Sequence, residues 1–243
     1  MAEKIAERIL ITQPEAIFRA VKVLRSSGVV AIPTDTLYGL ACDATNFTAI
    51  EHMFFIKARS PWKPFAICLA GIKDIPSYAL TQHLPTGLLE KLLPGPVTVV
   101  LNSNCESEVD KHCHKDGKIG IRVPKHRFIQ ELVTALGKPL ALTSANLSGS
   151  RGVVSCDELE EEIWKRIPII FDGEEQQFNF NDNGHPEGYR DGSTIVDLSE
   201  KGKYCIIRTG LVEAQCNTLW ILRKFGFKDK MDNKSNPIIL EQR

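Results

Sequence analysis

The sequence predicts one α/β domain built on a mixed β-sheet, and three observations lead there. Short apolar runs end repeatedly at polar residues, stretches of helical periodicity separate several of them, and 243 residues without an internal repeat leave no room for a second large domain.

Along the chain, residues 13–27 place Ile17, Phe18, Val21 and Leu24 at helical spacing, with Thr12 as candidate cap, Pro14 in the first turn and Gly28 as the stop. Residues 29–34 then form an apolar run that reads as a buried strand. It delivers Pro33, Thr34 and Asp35 to the strand edge where open α/β sheets hold ligands. Asn46 is the expected cap of a second helix with Ile50, Phe54 and Phe55 inward and with Lys57 and Arg59 at its end. Further strands are expected at 65–69, 97–101, 119–123, 140–143, 167–171, 194–198 and 204–208, and a helix at 128–136. Residues 174–192 are rich in Asn, Asp, Gly and Glu and read as a long loop. Residues 1–9 read as an N-terminal extension, 10–225 as the domain, and 226–243 as a charged, disordered tail.

Composition narrows the function classes. Lys plus Arg equals Asp plus Glu at 30 each, so no global basic field of the kind that drives general nucleic-acid binding exists, and any positive site must be local. No stretch approaches the roughly 18 apolar residues that a membrane span needs. The opening MAEKIAERIL mixes acids and bases and reads as neither a signal nor a transit peptide, so the cytoplasm is the expected compartment, with a mitochondrial fraction left open. Seven cysteines without C-x-x-C spacing read as reduced thiols.

Neither a G-x-x-x-x-G-K-[ST] loop nor a G-x-G-x-x-G turn occurs, so side chains must hold the phosphates of any nucleotide. Lys57, Arg59 and Lys63 put three cations within seven residues at a helix end; they suit a polyphosphate, and equally a solvated terminus at the negative end of the helix dipole. Thr34 and its neighbours in PTDTLYGL (33–40) could grip a polar ligand or bond their own backbone. Pro94-Gly95-Pro96 reads as a rigid turn, with Thr98 as its polar contact. Arg122 stands in an otherwise apolar strand and must pair structurally or face a polar cleft. Thr143, Ser144 and Asn146 end another apolar strand and could offer hydroxyls and amides to anionic oxygen, or form an ordinary turn. His112-Cys113-His114 with Cys105 reads as an exposed loop in preference to a zinc site. No G-x-S-x-G elbow supports a serine hydrolase.

Seven ordered blocks then stand out together: PTDTLYGL, KARSPWKP, PGPVTVVL, IGIRVP, LTSANLSG, STIVD and IIRTG. In this order they resemble the YrdC/Sua5 family of threonylcarbamoyl-AMP synthases, from about residue 10 to about 212. The resemblance implies a twisted open mixed sheet flanked by helices with a positively charged concave site. It also implies L-threonine, bicarbonate and ATP as substrates, with Mg2+ expected, and threonylcarbamoyl-adenylate and pyrophosphate as products. The adenylate would pass to a separate transferase complex that makes N6-threonylcarbamoyladenosine in tRNA; direct tRNA contact is left open. Carried over by position, Thr34, Arg122 and Ser193 would meet threonine. Lys57, Arg59, Lys63, Thr143, Ser144, Asn146 and Arg208 would meet ATP. No residue is assigned to a metal; Asp35 reads equally as a metal candidate and as a cap. Cys68 stands where many relatives carry His, and residues 174–192 are expected to close over the substrates. An RNA-binding module without catalysis is the alternative. A carbamoyl-transfer domain of the hydrogenase-maturation type fits less well, for want of zinc-finger and acylphosphatase-like segments.

Overall fold

A computed structural model describes residues 6–60, 62–104, 106–173 and 190–231. Two strands and a helix open the chain: β1 (Glu7–Leu10), α1 (Ala16–Arg25) and β2 (Val30–Ile32). They are followed by β3 (Gly39–Asp43), α2 (Phe47–Lys57), β4 (Ala66–Cys68), α3 (Leu88–Leu92) and β5 (Val97–Asn102). The middle of the chain forms β6 (His114–Lys115), β7 (Lys118–Arg122), α4 (Arg127–Leu136) and β8 (Leu140–Ser144). The last part forms α5 (Glu161–Trp164), β9 (Ile169–Asp172), β10 (Thr194–Asp197), β11 (Lys203–Arg208), α6 (Val212–Lys224) and β12 (Lys228–Asp229).

Among the described residues all twelve strands join one sheet in the order β1-β9-β2-β3-β8-β4-β7-β5-β10-β11-β12, with β6 hairpinned onto β7. The sheet is mixed: β1 with β9, β4 with β7 and β5 with β10 run parallel, whereas β2 with β3, β3 with β8, and β5 with β7 run antiparallel.

Strand alternation sorts the side chains into two faces. On one face Ala31, Leu40, Ile67, Val99, Ile121, Ala141, Ile170 and Val196 pack under α2, α3, α5 and α6 in the larger core cluster. On the other, Val30, Ile32, Ala41, Leu140, Leu142, Ile169 and Phe171 pack under α1 and α4 in a second cluster. That second layer stops at Cys68 and Leu142. Beyond it the same face presents Gly120, Arg122, Thr98, Val100, Ile195 and Asp197 to a cleft. The site is therefore the half of a sheet face that no helix covers.

Most expected elements are present, and the differences have local causes. α1 begins at Ala16 with Glu15 at its cap position and no side-chain cap, so Thr12 does not cap it. Phe18 (69% exposed) and Phe55 (66% exposed) face outward, because Ala20, Val21 and Leu24, and Met53 and Ile56, already fill the buried arcs. The described residues on either side of the expected boundaries, 6–9 and 226–231, join the fold. Ile9 is buried and β1 pairs with β9, while Phe227 is buried and β12 pairs with β11. The segment around Cys113 is not an exposed loop: Cys113 is buried, and His112 bonds Asp110 and meets the Phe54 ring edge-on at 5.3 Å. No helix among the described residues is long and apolar enough to cross a membrane. The expected loop over 174–189 and the end from 232 lie outside the described residues.

Because Phe227 packs with Tyr204, Ile221 and Leu222 in the larger core, Phe227→Ala is expected to lower unfolding free energy by about 3 kcal/mol. Urea denaturation checks it; an unshifted midpoint would place the chain beyond Gly226 outside the cooperative fold.

Candidate functional site

The cleft has a volume of about 560 Å³ and is lined by the turn after β2, the end of β8, the first part of β5, and one face of β7 and β10. That volume suits a small molecule rather than a macromolecular groove. Its lining includes Arg59, Lys63, Lys115, Lys118, Arg122 and Arg208 against only Asp116 and Asp197.

Arg122, the last residue of β7, is the most enclosed of these cations. Its Nη2 donates to Asp35 Oδ1 at 2.5 Å and to Thr36 Oγ1 at 2.7 Å, and the other Asp35 oxygen accepts the Lys125 N–H. Asp35 is thus the arginine's counter-ion, and it caps no described helix. The Nε of Arg122 is buried without a hydrogen-bond partner. A buried donor left in this way carries a desolvation cost that an incoming anion removes. Thr34 stands beside it, donating its hydroxyl to Leu37 O at 2.6 Å and accepting from the Thr36 N–H.

Strand register brings a second wall to the first. Thr98 is opposite Arg122, and Ile195 is opposite Thr98, so the start of β10 faces the end of β7 across β5. The Ser193 and Thr98 hydroxyls bond at 2.7 Å, and Arg208 Nη2 donates to Ser193 O at 2.8 Å. Close approach of two backbone segments makes this possible. A Cβ at Gly210 would fall 2.4 Å from both Gly192 O and Thr194 N, so glycine is required in the IIRTG block.

Arg59 forms the third wall. It donates to Lys63 O at 3.2 Å and Pro64 O at 3.0 Å, reaches Thr143 Oγ1 at 3.4 Å, and lies over the Phe65 ring. Burial, and then the neighbouring Arg208, lower the pKa of Arg59; burial, and then Arg122, lower that of Arg208. Arg208 is therefore near enough to both Arg59 and Arg122 for like charges to repel across the cleft. An anion placed among them relieves that repulsion.

Of the expected site residues, the structure brings Thr34, Arg59, Lys63, Arg122, Thr143, Ser144, Ser193 and Arg208 together on the cleft wall. Lys57 and Asn146 stand behind it. Lys57 is 2% exposed, and its Nζ donates to Ser144 O at 2.6 Å and to Asn146 O. Burial pushes its pKa down to about 8. Asn146 in turn donates to Leu147 O and Ser150 O. The pair clasps the turn that aims Ser144 at the cleft. Cys68 lies under Arg122 in the sheet floor, fully buried, with its thiol pushed up to about 12 by burial.

Sequence reasoning missed the Arg122–Asp35 pair and the exposed Trp62. The signal for Trp62 was present, as an aromatic residue set inside the Lys57 to Lys63 cation cluster. Among the described residues, no three His, Cys, Asp or Glu side chains gather as a metal cage.

Fold and site together define an α/β twisted-sheet protein with three arginines on the walls of one cleft. A family model covering Sua5, YciO and YrdC, described as telomere recombination, matches residues 22–210, and the chain belongs to that family. Threonylcarbamoyl-AMP synthase of Bos taurus is 43% identical over 212 residues, covering 87% of this chain and 73% of the relative. The Homo sapiens protein of the same name is 41% identical at the same coverage. Among solved structures, P. abyssi Sua5 complexed with L-threonine superposes with TM-score 0.71 at 26% identity, covering 85% of this chain and 57% of that one. E. coli YciO gives 0.70 at 25% identity, covering 87% of this chain and 97% of that one.

Replacing Lys57 with Met would leave the Ser144 and Asn146 carbonyls without their shared donor, at an expected loss of about 2 kcal/mol of stability. Exposed Lys63→Ala should stay within about 0.5 kcal/mol of the parent. Urea unfolding of the two variants side by side checks the contrast, and equal midpoints would remove the structural role given to Lys57.

Proposed function

We propose that this chain is a threonylcarbamoyl-AMP synthase, condensing L-threonine, bicarbonate and ATP to L-threonylcarbamoyladenylate and pyrophosphate. The observation that carries the reading is that Arg59, Arg122 and Arg208 line one cleft, together with Lys63, Lys115 and Lys118, against only two carboxylates, Asp116 and Asp197. It is supported by the shared name of the mammalian relatives and by a threonine complex of a structural neighbour.

Threonine is placed with its carboxylate on the unpartnered Nε of Arg122 and its hydroxyl near Thr34. Its amino group then lies toward Ser193. The amine adds to the carbon of bicarbonate with loss of water, giving a carbamate. A carbamate oxygen attacks the α-phosphorus of ATP, and the bond to the bridging oxygen of pyrophosphate breaks.

No protein nucleophile is needed; alignment and charge stabilisation are the protein's contribution. Arg59, Lys63, Thr143 and Ser144 are the groups for the triphosphate, and Arg208 reaches the nucleotide from the facing wall. Lys57 and Asn146 act as positioning residues by fixing the turn that carries Ser144.

Magnesium, expected with ATP, would be held through phosphate oxygens and water. Asp197, one of the two cleft carboxylates, is already engaged by Lys118 at 2.8 Å. The adenylate would pass to a transferase complex acting on the adenosine 3′ of the anticodon. The six described free cysteines suit a reducing cytosol.

Purified protein with ATP, magnesium, threonine and bicarbonate should release pyrophosphate and yield the adenylate by mass, with both threonine and bicarbonate required. Arg122→Ala should raise KM for threonine at least ~30-fold, the equivalent of about 2 kcal/mol for a lost buried charge contact. Absence of product from folded protein that binds ATP would transfer support to an RNA-binding module without catalysis.

A further inference from the structure

The cleft contains three aromatic side chains among its described lining residues, Tyr38, Phe65 and Trp62, and they are unequal. Tyr38 is 1% exposed, with its hydroxyl accepting the Gly173 N–H. Phe65 is 1% exposed, packed against the Phe54 ring at 4.4 Å with the planes tilted by 38°, and covered by the Arg59 guanidinium at 5.1 Å. Neither offers a ring face to a ligand. Trp62 is 85% exposed, the largest exposure of any large hydrophobic side chain described, although it lines the same cleft. The other exposed tryptophan, Trp220, carries Lys224 over its ring at 3.7 Å, whereas among the described residues no cation lies over the Trp62 ring.

An indole left open to water at the mouth of a site offers a flat apolar face to a planar ligand. A heterocyclic base has that chemistry, and stacking on an aromatic face contributes binding without hydrogen-bond readout. Trp62 follows Arg59 by three residues and precedes Lys63, so one short loop brings a stacking surface beside two phosphate-binding cations. Across the cleft mouth, Ile207 (57% exposed) gives a second apolar wall next to Arg208.

We propose that Trp62 is the nucleobase platform of this cleft, stacking the purine of the bound nucleotide while Arg59 and Lys63 hold its phosphates. The proposal rests on the synthase reading for the identity of the nucleotide, but not for the stacking itself. Since a π-face accepts any base, the platform supplies affinity, and selection among bases must come from other groups.

The test compares wild type, Trp62→Ala and Trp62→Phe, titrated with ATP, AMP and inorganic tripolyphosphate, reading Kd calorimetrically and tryptophan emission in parallel. Because Trp62 is so exposed, the variants should fold; circular dichroism and the urea midpoint confirm it.

ATP and AMP should quench wild-type emission and tripolyphosphate should not, with the quench lost in both variants. Trp62→Ala should weaken ATP about 10-fold or more, Trp62→Phe should recover most of that, and tripolyphosphate affinity should change less than about twofold. ATP affinity unchanged in Trp62→Ala, or ATP and tripolyphosphate weakened alike, overturns the platform. If wild type still makes the adenylate, the synthase reading stands without it. Wild type that binds neither ATP nor AMP overturns both.

Discussion

A guanidinium placed on the face of a β-sheet must find an anion or remain in water, and Arg122 finds Asp35 at 2.5 Å with both side chains about nine-tenths covered. Much of the site follows from that pair. Asp35 belongs to the turn leaving β2, Arg122 to the end of β7, and 87 residues of chain separate them. Their contact draws the Thr34–Thr36 turn over the sheet edge and fixes the two hydroxyls against the arginine. It also uses one nitrogen of the fork and leaves Nε for something else.

The second constraint is uneven coverage of the sheet. Four helices cover one face, but α1 and α4 cover only the β1-to-β4 half of the other. Residues on the bare half must tolerate both solvent and ligand, and they alternate with core residues on the same strands. Val99 and Ile121 point into the larger core while Thr98 and Arg122, one position away, point into the cleft. Rigidity is thus conferred on the site by packing on its reverse side. The Lys57 clasp does the same for the Ser144 turn, using a buried ammonium in place of apolar contact.

The legible parts of this architecture were those with a strong local period. β5, β7 and β8 alternate or run apolar and are bounded by Pro, Gly or polar residues, so their positions follow from the sequence nearly to the residue. β3 was hidden because all five of its residues are buried, which removes the alternation, and because it begins inside a block that reads as a turn. α6 was hidden for the opposite reason: of its thirteen residues only Thr218, Ile221 and Leu222 are buried, too few to make an apolar stripe. In the site, residue types were legible but directions were not. Lys57 ends a helix, and whether its ammonium enters the cleft or turns beneath β8 depends on carbonyls at 144 and 146 that no local pattern reveals.

The cleft's last wall is also the last to be synthesised. β10 pairs with β5, about a hundred residues earlier, and Arg208 reaches Ser193 only once β11 has folded back on β10. A nascent chain emerging from the ribosome up to about residue 190 already carries Asp35, Arg59, Lys63 and Arg122. It lacks Ser193, Arg208 and the strand that closes the cleft. Sheets assembled from such distant pairings fold slowly. The residues that complete the cleft thus come from the last three strands of the chain, which join a sheet whose other strands all precede them in sequence.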